Sequence, residues 1–158
     1  MIDVGLRQAE QADSEFAYRV KRAAFGRYVA QVWGWHEAEQ RRLHERRFRP
    51  DRVRVITADG HEVGILASVA APDCVNVNQL FVLPEHQGRG IGRRAMKAVV
   101  AEADELGLPV RLRVLRVNPR AEAFYRRLGF VPTGQTGTHV LMERPHGPST
   151  AATGGGEQ

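Results

Sequence analysis

The spacing of apolar residues along the chain predicts four helices. In residues 13–31 apolar side chains recur at intervals that place them on one face of an amphipathic helix. Trp33-Gly34-Trp35 interrupts this pattern before a second, highly charged segment of helical character. Asn118-Pro119 opens a short helix, because proline suits the first turn. The predicted helices cover residues 13–31, 36–47, 91–106 and 118–128.

Runs with strand character fill most of the remaining chain. Residues 52–58 and 61–71 flank Asp59-Gly60, a dipeptide typical of a tight hairpin turn. Residues 74–83 are followed by a loop, a helix and the run 110–115, which predicts a right-handed crossover and a parallel pair. We therefore expect a mixed, mostly antiparallel twisted sheet of about six or seven strands with helices on both faces. The predicted strands are residues 2–8, 52–58, 61–71, 74–83, 110–115, 130–134 and 138–143.

The length and composition indicate one ordinary domain. The chain has 158 residues, 42% of them hydrophobic. We expect the domain to cover residues 1–144 and the Gly-, Ser- and Thr-rich tail 145–158 to be disordered. Charged residues interrupt any apolar run near the start, and no stretch approaches the ~20 apolar residues of a membrane span. A cytoplasmic protein without a membrane partner is the expectation.

Charge, cysteine and histidine narrow the chemistry further. The net charge of +5 is compatible with three kinds of binding partner: nucleic acid, a membrane surface or an anionic small molecule. The arginines are spread along the chain and form no basic cluster with aromatics, so no nucleic-acid partner is expected. Cys74 is the only cysteine and is expected to be a small core residue. The six histidines lack ligand spacing, so no metal is expected.

A glycine-rich loop between a predicted strand and a helix is the first candidate site. Gln87-Gly88-Arg89-Gly90-Ile91-Gly92 leaves backbone N–H groups free at the positive end of the helix that follows. Glycines let a phosphate approach the backbone closely, and Arg89, Arg93 and Arg94 add positive charge. Taken alone, the loop is equally consistent with a simple turn. It is neither a P-loop nor a dinucleotide fingerprint.

Two motifs together resemble a known family. Gln-x-x-Gly-x-Gly after Leu80-Phe81-Val82-Leu83-Pro84-Glu85 resembles the coenzyme A motif of the GCN5-related N-acetyltransferase (GNAT) superfamily. The segment 117–130, with Asn118 and Tyr125, is similar to that family's second hallmark. Alone, it also fits a short helix with an apolar face and Asn118 as its N-cap. The resemblance covers roughly residues 53–143 and rests on both motifs in the family's order.

The resemblance implies an acyl-CoA N-acyltransferase fold, with parallel strands that splay apart at the coenzyme site. It implies acetyl-CoA as the co-substrate, with its pyrophosphate on the glycine-rich loop and its acetyl and pantetheine groups on the main chain at the end of the preceding strand. Tyr125 would be the general acid toward the departing thiolate. The coenzyme residues so implied are Phe81, Val82, Leu83, Gln87, Gly88, Arg89, Gly90, Ile91, Gly92, Arg93, Asn118 and Tyr125.

The general base and the acceptor site remain open at this level. Many relatives carry a glutamate in the strand before the loop, whereas this strand offers only amides, of which Asn78 or Gln79 are candidates to hold a water. The other base candidates are His139, Glu37 and His36. The two tryptophans fit an aromatic wall for the acceptor or a staple of the helix junction to the sheet. The acceptor-site candidates are Tyr28, Trp33, Trp35, His36, Asn78 and His139.

The expected function is transfer of the acetyl group of acetyl-CoA to a primary amine of a small molecule or peptide. The amine would attack directly in a ternary complex. The alternative is a non-catalytic acyl-CoA-binding regulatory domain on the same fold. Homodimers are common in the family, so a homodimer is a further expectation.

Overall fold

The computed structural model describes residues 1–147. Most of the tail expected to be disordered, residues 148–158, lies outside the described residues. The elements closely follow the expected ones. They are β1 (Val4–Gln8), α1 (Ser14–Val32), α2 (Glu37–Arg47), β2 (Val53–Ala58), β3 (His61–Ala70), β4 (Val75–Val82), α3 (Ile91–Leu106), β5 (Val110–Leu115), α4 (Pro119–Arg127), β6 (Val131–Gln135) and β7 (His139–Arg144).

The strands form a mixed sheet in the order β1-β2-β3-β4-β5-β7-β6. The pairs β1–β2, β2–β3, β5–β7 and β6–β7 are antiparallel, and β4–β5 is parallel. The crossover that the sequence predicts between residues 74 and 115 therefore does produce a parallel pair. The mixed, mostly antiparallel fold class is confirmed.

Contacts divide the chain into two compact units. Met1–Ser68 and Asn78–Ala95 form the first unit, and Val69–Val77 with the chain from Met96 forms the second. β3, β4 and α3 each pass from one unit to the other. The expectation of a single domain over residues 1–144 stays a prediction.

In the first unit, β2, β3 and α1 supply a continuous apolar core. Both faces of β2 and β3 are covered, because consecutive residues such as Val55 and Ile56 are buried. The residues of these strands that belong to this core lie at every second position and therefore share one face. The Asp59-Gly60 turn has φ of 50° and 83°, which is the pair of positive values that a type I′ hairpin requires. The buried core residues are Ala9, Ala17, Val20, Val53, Val55, Ile65 and Ala67, with Phe16, Phe48, Phe81 and Leu83 packed against them.

Gly64 marks a close approach between the backbones of β3 and the end of β4. A Cβ at this position would collide with the carbonyl oxygen of Phe81 and would lie 3.2 Å from Cα of Val82. The amide of Leu83 donates to the carbonyl of Val63 at 2.8 Å, just beyond this contact. The absence of a side chain at Gly64 therefore fixes the path of the backbone where β4 ends.

In the second unit, β5 and β7 pair over their whole length. Leu112 lies opposite Met142, and both side chains are buried. Cys74 is 3% exposed, which confirms the expected core position. Arg144 of β7 forms an ion pair with Asp104 of α3 at 3.3 Å, and the amide of Gly147 donates to the same carboxylate at 2.8 Å. The chain just beyond β7 is thereby held against α3.

Candidate functional site

The glycine-rich loop connects the end of β4 to the start of α3. After Val82 the chain makes a short turn at Pro84–His86 and then enters the loop. Gly88 and Gly90 have φ of 81° and 78°, a conformation that strains any residue with a side chain. A Cβ placed on either glycine would meet no atom within 4 Å. The loop therefore presents bare, accessible backbone.

The amides of this loop are available to a ligand. The N–H groups of residues 88–93 donate to no acceptor among residues 1–147, and the amide of Arg94 makes the first bond of α3, to Gly90 O at 3.1 Å. Unpaired N–H groups at a helix start, together with the helix dipole, favour an anion. The arrangement suits a phosphate or pyrophosphate.

Gln87 contributes to the loop through its own contact with β4. Its side-chain amide donates to the carbonyl of Val82 at 2.8 Å. This bond ties the beginning of the loop to the strand that precedes it. Gln87, expected among the coenzyme residues, therefore has a positioning role that the motif alone did not reveal.

The arginines near the loop are not equivalent. Arg89 and Arg93 are exposed and form no ion pair in the part of the chain that the structure describes. The Arg94 guanidinium instead donates to the carbonyl of Ile2, next to β1. Arg94 keeps its charge but is tied to the chain just before β1, whereas Arg89 and Arg93 are unengaged by any carboxylate of residues 1–147; their role at a phosphate site stays a prediction. Ile91 is buried, so only its backbone is accessible to a ligand.

The parallel ladder between β4 and β5 is short. It comprises Val75 opposite Val110 and Asn76 opposite Arg111. β4 nevertheless continues to Val82 and β5 to Leu115. The early end of the ladder agrees with the expected splay and leaves main-chain groups of β4 beyond Asn76 without ladder partners in β5.

Asn118 begins α4 as its N-cap. Its side-chain Oδ1 accepts a hydrogen bond from the amide of Ala121 at 3.2 Å. The capping interpretation of the sequence is therefore correct, and the side-chain NH₂ of Asn118 donates to no acceptor within the described residues 1–147.

Tyr125 lies in an aromatic and largely dry environment. Its ring packs edge-on against Phe124 and Phe130, with centroids 5.0 and 5.4 Å away. Burial raises the pKa of the phenol well above its ordinary value. The hydroxyl has no hydrogen-bond partner among residues 1–147, and it is not among the fully enclosed polar atoms. Tyr125 thus offers a protonated donor that no protein group uses.

The segment between α1 and α2 separates the roles of the two tryptophans. Trp35 packs against Tyr18 with ring centroids 6.2 Å apart and donates from Nε1 to Glu37 at 2.8 Å. These contacts join Trp35 to α1 and α2, and the expected staple to the sheet stays a prediction. Trp33 is 55% exposed and His36 is also exposed, so both remain candidates for an acceptor surface.

Glu37 is poorly suited to act as a general base. It accepts from Trp35 and lies 3.4 Å from an Arg22 nitrogen and 3.3 Å from an Arg41 nitrogen. These donors, Trp35 first, lower the pKa of its carboxyl group. A base that works near neutral pH needs a pKa close to 7. The pKa of Glu37 is shifted downward, away from 7, which weighs against Glu37 as the base.

His139 carries a neutral imidazole at neutral pH, which is the form that can accept a proton. It lies at the start of β7 opposite Leu115, is half-buried, and its Nδ1 is 2.8 Å from Thr138 Oγ1. Burial, and secondarily the charge of Arg113, lower the pKa of the imidazole below 6.5. The ring is therefore neutral at pH 7. Asn78 is exposed and Gln79 half-buried on β4, and neither can accept a proton itself.

An aromatic contact that the sequence did not predict joins α1 to the end of β4. The Phe25 ring stacks on Phe81 with centroids 4.9 Å apart and planes at 30°. Phe25 also packs against Tyr28, an expected acceptor-site residue, at 6.3 Å. The helical periodicity of residues 13–31 rests on Phe16, Val20, Ala23, Ala24 and Tyr28. Phe25 is not part of that pattern, which is why sequence analysis missed it.

Residues 1–147 contain no group of three or more His, Cys, Asp or Glu side chains that could hold a metal ion. None of their helices has the length and hydropathy that a membrane span requires.

Comparison with known proteins adds family and fold information. The family model described as Acetyltransferase (GNAT) family matches residues 15–130. An uncharacterized N-acetyltransferase of Mycobacterium tuberculosis is 36% identical over 87 residues, which are 52% of this chain and 56% of that protein. The chain therefore matches only about half the length of this relative.

Two solved structures share the fold. One is the PaiA N-acetyltransferase of Thermoplasma acidophilum in complex with coenzyme A, with TM-score 0.76, 18% identity, and coverage of 91% of this chain and 99% of that one. The other is the ribosomal-protein-S18-alanine N-acetyltransferase of Escherichia coli, with TM-score 0.69, 19% identity, and coverage of 90% and 94%. At these identities the likeness establishes the fold alone.

Proposed function

Since the chain belongs to the acetyltransferase (GNAT) family, we propose that it is an acetyl-CoA-dependent N-acetyltransferase that acts on a primary amine of a small molecule or peptide. The observation that carries the proposal is the open loop at Gly88 and Gly90, where successive amides have no acceptor within residues 1–147. Such a loop suits the pyrophosphate of the coenzyme, with Arg89 and Arg93 adding positive charge.

The end of β4 is proposed to hold the reacting end of the coenzyme. Main-chain groups of Phe81, Val82 and Leu83 would bind the acetyl and pantetheine groups, which is consistent with the short β4–β5 ladder. The close contact at Gly64 and the Gln87 bond to Val82 keep this backbone in place. Asn118 is proposed to contact the pantetheine arm with its free side-chain NH₂.

The reaction proposed is direct attack in a ternary complex. The neutral amine attacks the thioester carbonyl carbon, a C–N bond forms, and the C–S bond breaks as the tetrahedral intermediate collapses. The amine nitrogen loses one proton to a base, and the CoA thiolate gains one. Only the neutral amine attacks, and a free alkylamine has a pKa of ~10.4, so removal of its proton is part of the cost.

Tyr125 is proposed to stabilise the departing thiolate. A thiol has a pKa of ~8.5, and burial places the phenol pKa well above that value. Complete proton transfer from Tyr125 would therefore be uphill. A hydrogen bond from the phenol to the sulfur, with the proton finally drawn from solvent, fits these values better. For the base, the neutral imidazole of His139 is favoured over Glu37, and a water held by Asn78 or Gln79 is the alternative.

The experiment is a thiol-release assay with acetyl-CoA and a panel of amines and short peptides, with acetylated product identified by mass spectrometry. Saturable thiol release that requires the amine supports the proposal. A reaction without amine measures hydrolysis and serves as the control. Binding of acetyl-CoA without thiol release across the panel would instead support the regulatory, non-catalytic alternative.

A further inference from the structure

A row of stacked aromatic rings leads from the end of β4 along α1. We call Phe81, Phe25 and Tyr28 the aromatic row. Successive ring centroids are 4.9 and 6.3 Å apart. All three rings are half-buried, so each keeps some surface for a ligand. Under the proposed function, Phe81 marks the end of the row nearest the acetyl group.

A positively charged group stands at the other end of the row. The Arg27 guanidinium lies 4.7 Å over the Tyr28 ring, and its Nη2 donates to the Tyr28 hydroxyl at 2.7 Å. A guanidinium has five N–H donors in a fixed plane, so this bond leaves most of them free. The two contacts hold the group in place before any ligand arrives, which lowers the entropy cost of binding.

Arg27 also lacks a carboxylate partner, in contrast to three arginines of its unit that are ion-paired. Arg7, Arg22 and Arg41 each form an ion pair with Asp13, Glu37 or Glu15. Arg27 forms none with any residue from 1 to 147. A planar guanidinium with free, parallel N–H groups matches the two oxygens of a carboxylate.

The groups of the row itself suit an anionic rather than a cationic acceptor. Its rings are aromatic, and the one charged group among residues 1–147 shown in contact with them is the Arg27 guanidinium. The whole chain carries a net charge of +5, which attracts anionic molecules. Glu37, a candidate to attract a cation, is already engaged by Arg22 and Arg41.

We propose that Arg27, held by Tyr28, binds a carboxylate on the acceptor, so that the preferred substrates are amines that also carry an acidic group. The aromatic row packs against the part of the acceptor between its carboxylate and its amine. The inference rests on the proposed function, because the row leads to the reacting carbonyl only if β4 holds the acetyl group. It names a substrate class and a specificity residue, Arg27, that the motifs do not indicate.

The test compares amines in matched pairs, each as the free acid and as its carboxamide. One such pair is 4-(aminomethyl)benzoate and 4-(aminomethyl)benzamide, in which a flat ring separates the amine from the variable group. The wild-type enzyme should favour the acid by about 10-fold to 100-fold in kcat/KM, as expected for a charge-assisted hydrogen bond. Arg27→Gln should abolish this preference while leaving the KM for acetyl-CoA unchanged.

Arg19→Gln is the matched control. Arg19 lies on the same helix, two turns away, over the Phe16 ring at 5.7 Å, and it too has no ion pair among the described residues. The Arg19→Gln substitution removes the same charge as Arg27→Gln, and this variant should retain the preference for the acid. Tyr28→Phe, which removes the hydroxyl that anchors Arg27, should reduce the preference partially.

The outcomes separate the inference from the proposed function. Equal kcat/KM for acids and carboxamides in the wild-type enzyme, or a preference that survives Arg27→Gln, overturns the carboxylate site and leaves the transferase intact. Equal loss of the preference in Arg19→Gln would attribute it to net charge and also overturns the site. Absence of thiol release with every amine tested contradicts the proposed function itself.

Discussion

Tyr125 shows how burial decides what a single side chain can do. Its ring is enclosed by Phe124 and Phe130, and the pKa of its hydroxyl is raised by the loss of solvent. Desolvation disfavours the charged phenolate, so the group stays protonated over the whole range in which the enzyme would work. This is the state that a hydrogen-bond donor to a thiolate requires.

We expect Tyr125→Phe to lower kcat by about 100-fold, the middle of the range for a positioned proton donor. The KM for acetyl-CoA should change little, because the ring that packs on Phe130 is retained. Since the hydroxyl has no protein partner, the melting temperature should also be nearly unchanged. Steady-state kinetics and a thermal melt measure these values. Unchanged kcat would remove Tyr125 from the mechanism.

The residue scale is also where sequence reasoning was least complete. The motif identified Gln87 as a coenzyme residue, but its bond to the carbonyl of Val82 depends on a turn whose geometry the motif does not specify. Phe25 lay outside the apolar periodicity, and its partner Phe81 is distant in sequence. Of the three donors to Glu37, Trp35 and Arg41 are close in sequence, and only Arg22 is brought near by the packing of α1 and α2. The sequence pattern did not indicate that all three engage the carboxylate, so Glu37 appeared as a candidate base.

At the scale of elements, the loop before α3 depends on backbone conformation. Gly90 has a positive φ and open space around it, and Gly60 in the β2–β3 turn has both properties as well. An alanine at either position costs about 1–2 kcal/mol of backbone strain. Only the loop glycine precedes the amides proposed to bind pyrophosphate.

Gly90→Ala should therefore raise the Kd for acetyl-CoA by about 10-fold, which is the effect of roughly 1.4 kcal/mol. Gly60→Ala, the control with the same strain, should reduce thermal stability by a similar amount and leave the Kd unchanged. Calorimetric titration of both variants compares them. Equal weakening of coenzyme binding in the two would mean that the loop has no special role.

Elements with local signals were predicted well, and long-range contacts were not. The Asp59-Gly60 hairpin and the parallel β4–β5 pair follow from turn chemistry and from chain order. The close approach of Gly64 to the Phe81 carbonyl involves residues on two different strands, and no single-segment pattern contains it. The same limit applies to the contacts of Arg94 with the carbonyl of Ile2.

For the molecule as a whole, the half-buried His44 links stability to pH. His44 of α2 bonds through Nε2 to the carbonyl and hydroxyl oxygens of Ser14, at 2.9 and 3.0 Å, and its ring packs edge-on against Tyr18. Burial lowers the pKa of this imidazole below 6.5. Lys21, Glu15 and Glu45 also act on it, more weakly.

The sign of the effect follows from proton uptake. Because the pKa of His44 is lower in the folded state, the unfolded chain binds more protons as the pH falls below 6.5. Stability should therefore decline between about pH 7.5 and pH 5, by a few °C in melting temperature. His44→Gln should flatten this decline, and the exposed His61→Gln should not. If melting temperature falls with pH at the same slope in the wild type, His44→Gln and His61→Gln, the decline does not arise from His44.

The family and fold could be recognised from two motifs because both are local and occur in a fixed order along the chain. The acceptor could not be named, because its site depends on side chains brought together by folding. A cytoplasmic location and a homodimer stay predictions.

The most direct measurement is a calorimetric titration of the purified protein with acetyl-CoA and, separately, with CoA. The account predicts one saturable site per chain for each, with a Kd in the range of about 1 μM to 1 mM that is typical of enzyme substrates. Absence of binding by both molecules would contradict the account, because the loop at Gly88 and Gly90 would then hold no pyrophosphate.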